Sequence, residues 1–320
     1  LGPEGGGALL EEEIPRLRDD VFLDLGVAIP GVRARASPSL GPEDLVMLVQ
    51  EVPVASMSMR GGKLFTRATV GTLASFGIVA EPADESTPSA GSFVGPADRE
   101  PCEKNGVPVL SEAAYVAERL GVEVRRRAHD LLGLQETQTM LDQLERAYPA
   151  LVRNVIPKPV SLAVLADVLR RLVEEGVSVR PLREILEALA THAPGEKDPV
   201  ALTEAVRAAL RRQITHKHAR GGVLPVLLVD PLIEDTVRDA IQRTATGSYL
   251  ALAPAAARDV LAAVKKASTA PGAPSFLLTQ ADVRRFLRRL IETELPELQV
   301  LSYQELDPGV TVQPLGRVSP

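Results

Sequence analysis

Four groupings of side chains in this sequence have the residue types that chemistry uses. His216 and His218 flank Lys217 at i, i+2. Two imidazoles hold a metal only when further ligands join them, and no Cys or acidic residue lies close in sequence, so the pair reads as an exposed loop. His129-Asp130 has the base and the orienter of a hydrolytic triad, but no Ser or Cys stands in a recognisable elbow nearby. Arg60-Gly61-Gly62-Lys63 contains a fragment of a phosphate-binding loop. It lacks the Gly four residues ahead of a Gly-Lys-Ser/Thr and the strand–loop–helix frame, which leaves a turn. Arg284, Arg285, Arg288 and Arg289 form a basic stripe at i, i+1, i+4 and i+5. A solvated helix face is its first reading, an acidic partner surface its second and nucleic acid its weakest. None of the four completes a catalytic, cofactor or metal site, so the expectation is a protein that is not an enzyme and carries no cofactor.

The bulk numbers point the same way. At 320 residues the chain exceeds one ordinary core and predicts several compact units. Apolar residues make up 45% but aromatics only 3%, with no Trp, so the cores must be built from Leu, Val and Ala. A formal net charge of −6 argues against nucleic acid as the main partner. The single Cys102 excludes an internal disulfide and fits a reducing compartment. No apolar run is long enough to span a bilayer as a helix.

The elements that must position any site centre on residues 129–189. Leu134, Thr137, Leu141 and Leu144 place one stripe on a helix beginning near Gly133, and Tyr148-Pro149 ends it. Ser161 is a predicted N-cap, with Leu165, Val168, Leu169 and Leu172 on one face of a helix that stops at Gly176. Ser178 is expected to cap a third, with Pro181 in its first turn and Leu182, Ile185, Leu186 and Leu189 facing inward. Upstream, residues 1–8 read as flexible, 11–25 as an amphipathic helix stopped by Gly26, and 31–36, 45–50 and 52–59 as strands. Residues 80–106, crowded with Pro, Ser, Ala and Gly, read as a poorly ordered insert. Ser111 caps a helix over 112–120. Downstream, Asp198-Pro199 starts a helix, 216–222 reads as a loop, and strands at 223–229, 275–278, 298–302 and 310–313 alternate with helices. Thr279 and Asp282 look like a capping-box variant before the last helix. The fold class expected is a multidomain α+β and α/β protein, with a central helical bundle and a C-terminal α/β unit around a mostly parallel sheet.

Long segments in order carry a resemblance: LLGLQETQ, LVEEGVSVRPLREILE, KDPVALTEAVRAALRR and the ending TQADVRRFLRRLIETELPELQVLSYQELDPGVTVQPLGRV. They resemble the cytoplasmic domain of the FlhA/SctV family, the export-gate proteins of bacterial type III secretion, and its virulence (SctV) branch more than the flagellar one. The resemblance covers residues 20–318 and is strongest after Arg126. It implies a cytoplasmic fragment of an inner-membrane protein, assembling as a homononameric ring. The ring would receive chaperone–substrate complexes and gatekeeper proteins beside other export components, without covalent catalysis. It implies a linker at 1–19 and four subdomains at 20–65 plus 108–130, 66–107, 131–211 and 212–320. The flagellar branch's Asp-Pro-x-Phe-Gly chaperone-docking stretch is absent, and Glu118 stands where that branch has a Thr. By analogy Phe93, Val94, Tyr115 and Glu118 become partner-binding candidates. Arg170, Arg171, Glu174 and Glu175, on bundle helices with charged outer faces, become inter-subunit candidates. The competing classes are a regulatory hub of helical pairs and an α/β protein that binds a small ligand without any export role.

Overall fold

A computed structural model describes residues 3–41, 43–83, 91–244, 247–270 and 272–320, with side chains from residue 6 onward. The chain divides into two compact units, Leu1–Leu131 and Leu132–Pro320.

The first unit opens with α1 (Pro3–Ala8), a π turn (Leu9–Glu13) and α2 (Ile14–Leu25). The expectation of a flexible start is corrected for residues 3–8, which are helical. Ile14, Leu17, Val21 and Leu25 form the buried stripe of α2, and Gly26 ends it with φ 79°, a left-handed conformation open to glycine. Next come the antiparallel hairpin β1 (Asp44–Val49) and β2 (Val52–Ser58), then β3 (Leu64–Thr66), α3 (Val70–Ser75), β4 (Ala80–Pro82), β5 (Ser92–Val94), α4 (Arg99–Lys104) and α5 (Glu112–Arg126). Ser111 caps α5 by accepting from the Ala114 amide at 3.2 Å. α2 packs on α5 where Gly121 leaves room: a Cβ there would lie 2.8 Å from Leu17 Cδ1.

Two expectations change here. Residues 31–36 are exposed and carry no strand: the alternation of Val32, Ala34 and Ala36 finds no ladder partner among the described residues. Residues 80–106 hold β4, β5 and α4, while 84–90 lie outside the described residues. β5 is the centre of an antiparallel sheet ordered β3-β5-β4. Leu64, Leu73, Ile78, Val94, Cys102 and Val107 close its core. Long-range burial by α3 and α4 orders a composition that looks loop-like locally.

The second unit begins with a helical bundle: α6 (Leu134–Ala147), α7 (Pro149–Val155), α8 (Leu162–Glu174), α9 (Leu182–His192), α10 (Pro199–Ala209) and α11 (Arg211–His218). Glu136 reaches back to the Gly133 amide at 2.8 Å, and Ser161 accepts from Val164 at 3.2 Å. Pro149 ends α6 as expected but also starts α7, because a proline suits a first helical position. Ser178 does not cap α9. Pro181 occupies the N-cap position, and Ser178 Oγ accepts from the Arg180 amide at 3.4 Å. Residues 216–218 are the last turn of α11, not loop.

The remainder is α/β: β6 (Val223–Val229), α12 (Pro231–Asp239), the hairpin β7 (Ile241–Thr244) and β8 (Gly247–Leu250), α13 (Pro254–Ser268), β9 (Phe276–Thr279), α14 (Ala281–Ile291), β10 (Gln299–Ser302) and β11 (Thr311–Val318). The sheet order is β10-β9-β6-β11, and every pairing is parallel. Val229, Ile233, Val237, Val264, Leu277, Leu287 and Val300 belong to the core between this sheet and its helices. Gln280, not Thr279, stands at the N-cap of α14, since the Thr279 hydroxyl is committed to Glu234 at 2.7 Å.

Candidate docking surfaces and a buried charge cluster

β3, β5 and α5 bring three aromatic rings together in the first unit. Phe65 stacks on Tyr115 with ring centroids 4.1 Å apart, and Phe93 meets both edge-on at 5.7 and 5.6 Å. Burial raises the Tyr115 phenol above its ordinary range. Phe93 and Val94 are 3% and 1% exposed, so their side chains face the core and are corrected from surface contacts to packing groups. Tyr115, at 9%, is packed as well. Glu118 keeps a surface position and pairs with Arg67 at 3.0 Å. Sequence reasoning missed Phe76 and Val79, 43% and 84% exposed on the turn that leaves α3. Exposed apolar groups can offer a contact surface, and the apolar run Phe76-Gly77-Ile78-Val79 was the available signal.

In the second unit the inter-subunit candidates separate. Arg171 pairs with Asp167 one turn earlier at 3.2 Å, and Glu174 is exposed. Arg170 Nε donates to the Leu132 carbonyl, tying α8 to the entrance of α6. Glu175 is corrected outright: its side chain points inward to Arg284 and Arg207.

The stripe on α14 is likewise not one face. Arg284 is fully buried. It grips Glu175 with Nη1 at 2.5 Å and Nη2 at 3.0 Å, holds Glu204 through Nε at 2.6 Å and also through Nη2, and donates to the Val300 carbonyl at 3.3 Å. Arg207 Nη2 donates to Glu305 at 2.6 Å, and its Nη1 lies 3.2 Å from Glu175. Burial would push the Glu175 carboxyl up, but the Arg207 and Arg284 guanidiniums more than reverse this and hold it at about 2. Burial alone would lower the Arg284 pKa, yet Glu175 and Glu204 raise it well above its usual value. Arg285 pairs with Asp198 at 3.6 Å, Arg288 donates to the Leu298 carbonyl at 2.9 Å, and Arg289 stands in water beside Glu292.

The remaining chemical groupings have neighbours of their own. His216 faces Asp307 at 3.6 Å, and the His218 ring lies 4.6 Å from that of Phe276. Arg60 and Lys63 both face Glu81, at 4.0 and 2.5 Å. No three His, Cys, Asp or Glu among the described residues stand together as metal ligands, and no described helix is long and apolar enough to cross a membrane.

The profile of the FHIPEP family matches residues 3–311. The low calcium response locus protein D of Yersinia pestis is 38% identical over 315 residues, which is 97% of this chain and 44% of the relative. Flagellar biosynthesis protein FlhA of Bacillus subtilis is 32% identical, over 98% of this chain and 46% of its own length. The chain thus spans less than half of these curated relatives. Among solved structures, the Chlamydia pneumoniae CdsV protein superposes with a TM-score of 0.89 at 34% identity, covering 98% of this chain and 91% of that one. The nonameric cytosolic domain of EscV from a type III secretion system superposes at 0.79 and 28%, covering 98% and 93%. With the family's profile matched almost end to end and the fold shared with solved SctV-type domains, the chain belongs to the FHIPEP family and sits with its virulence branch.

Proposed function

We propose that this chain is the cytoplasmic part of a type III secretion export gate and works as a docking platform. Copies assemble into a ring, and the first unit receives chaperone–substrate and gatekeeper complexes. The observation that carries this reading is the near-complete superposition on a domain solved as a nonamer. A complex of CdsV with CdsO supports contact with further export components. The work is recognition and handover without covalent catalysis; the charged groups described above pair largely with one another, the buried Arg207 Nε excepted. Glu118 with Arg67, and Phe76 with Val79, give the first unit a charged and an apolar contact. Electron microscopy of the concentrated protein should show rings, and calorimetry should detect a secretion chaperone loaded with its substrate. A monomer at all concentrations that binds neither chaperone nor gatekeeper overturns the reading.

A further inference from the structure

The second unit contains two apolar cores. One lies in the bundle, where Leu165, Leu169, Ile185, Leu186 and Leu189 are fully buried. The other lies on one face of the parallel sheet and draws all its members from residues 227–318, while Leu224, Val226, Leu278 and Leu301 of the same strands are buried outside it. Between these parts stand five charges from four elements: Glu175 at the end of α8, Glu204 and Arg207 on α10, Arg284 on α14, and Glu305 in the turn after β10. Their partners are remote in sequence, 109 residues for Arg284–Glu175 and 98 for Arg207–Glu305. Arg288 adds its field to Glu175, and Lys217 Nζ, on α11, donates to the neighbouring Gly176 carbonyl at 3.0 Å. Ser302 Oγ and the Ser302 amide donate to Glu305, at 2.9 and 3.3 Å.

Such a cluster adds little stability over well-packed apolar residues, because two guanidiniums and three carboxylates must leave water to form it. It fixes one arrangement instead, and its failure is abrupt. Protonating the carboxylates leaves both guanidiniums buried without counter-charge, and a guanidinium cannot discharge itself. We propose that the Arg284 cluster is an acid-sensitive latch. It holds the parallel sheet in one position on the bundle, and its release loosens that position while each part keeps its own fold. The depressed Glu175 carboxyl is consistent with this: the latch is complete above about pH 4.5 and is lost as pH falls toward 2.

Nitroxide labels at Glu184→Cys on α9 and Lys266→Cys on α13, in a Cys102→Ala background, would report the distance between the parts by pulsed electron resonance. At pH 7 one narrow distance is expected. Acidification should broaden it before far-UV dichroism is lost. Arg284→Met should show the broad distribution already at pH 7, with helicity retained. Should Arg284→Met fail to fold, Glu204→Gln decides, since it removes one carboxylate and should begin to broaden at higher pH than the parent. A narrow distance in Arg284→Met at pH 7 overturns the latch. So does a single acid transition that removes distance and helicity together, with Glu204→Gln titrating like the parent.

Discussion

At the scale of the residue, Arg284 and Glu118 show how an ion pair has different consequences in different surroundings. Arg284 is fully buried and makes charge-assisted bonds to two carboxylates, so truncating it abandons Glu175 and Glu204. Removing one partner of such a buried pair typically costs about 3–5 kcal/mol. Urea unfolding of Arg284→Met at pH 7 should therefore show a loss of that order, far above the parent's neighbouring surface variants. Acid dependence follows from Glu175. Its folded pKa, about 2, lies below the ordinary 4.5, so its contribution is present above pH 4.5 and disappears as pH falls toward 2. In Glu175→Gln the acid limb of the stability curve should be correspondingly shallower. Glu118 behaves differently. Its pair with Arg67 is exposed, and exposed pairs are worth about 0–1 kcal/mol. Glu118→Arg should leave the melting curve nearly unchanged while weakening chaperone or gatekeeper binding in calorimetry. Tyr115→Ala, which removes a stacked ring from the Phe65–Phe93 cluster, should cost about 3–5 kcal/mol. Equal affinity in parent and Glu118→Arg would remove Glu118 from the docking surface.

At the scale of the element, glycines fix where chains can turn and approach. Gly91 precedes β5 with φ 102°, and a Cβ there would lie 2.5 Å from the Thr66 carbonyl oxygen and 2.6 Å from the Phe65 ring. Both the backbone conformation and a backbone atom resist substitution, so Gly91→Ala should destabilise by about 2–4 kcal/mol. Gly176 also has a left-handed φ of 71°, but its nearest neighbour is the end of the Gln299 side chain at 3.4 Å. Gly176→Ala should cost only about 1 kcal/mol. Thermal denaturation ranking the two in the reverse order would contradict this account. Local signals of this kind were legible in the sequence. Ser111, Ser161 and Asp198 each cap the helix expected of them, because a cap is a bond between residues two or three apart. The strands β6, β9 and β10 were legible from their apolar runs, whereas β11 was expected only over 310–313 and runs on to Val318. Arg284 and Glu175 were not: each looks like part of a solvated helix face, and only a partner about a hundred residues away turns it inward. Phe93 and Val94 were singled out by family analogy, and their burial had no local signal, since the elements that bury them come from both sides of a Pro- and Ser-rich stretch.

At the scale of the whole molecule, the ring proposed for this chain must be held by groups that the fold leaves in water. On the bundle these include Arg171 and Glu174, with Arg153 on α7 75% exposed and bonded to Glu145 at 3.0 Å. Arg170 and Glu175 are spent internally, on the Leu132 carbonyl and the Arg284 cluster. Exposed ion pairs contribute about 0–1 kcal/mol each and are screened over about 8 Å at physiological salt. Assembly of the isolated chain should then be weak, favoured by concentration and reduced by added salt. Reversing Arg171 and Glu174 together, as Arg171→Glu with Glu174→Arg, preserves the total charge but rearranges the face presented to a neighbour. Sedimentation should show fewer oligomers for the double variant, while its melting temperature stays within about a degree or two of the parent, since surface changes usually lie within about 0.5 kcal/mol. Arg284→Met provides the complementary control, losing stability without altering an exposed charge. A tight oligomer indifferent to salt and to the charge reversal would place the ring contact elsewhere than on this face of the bundle.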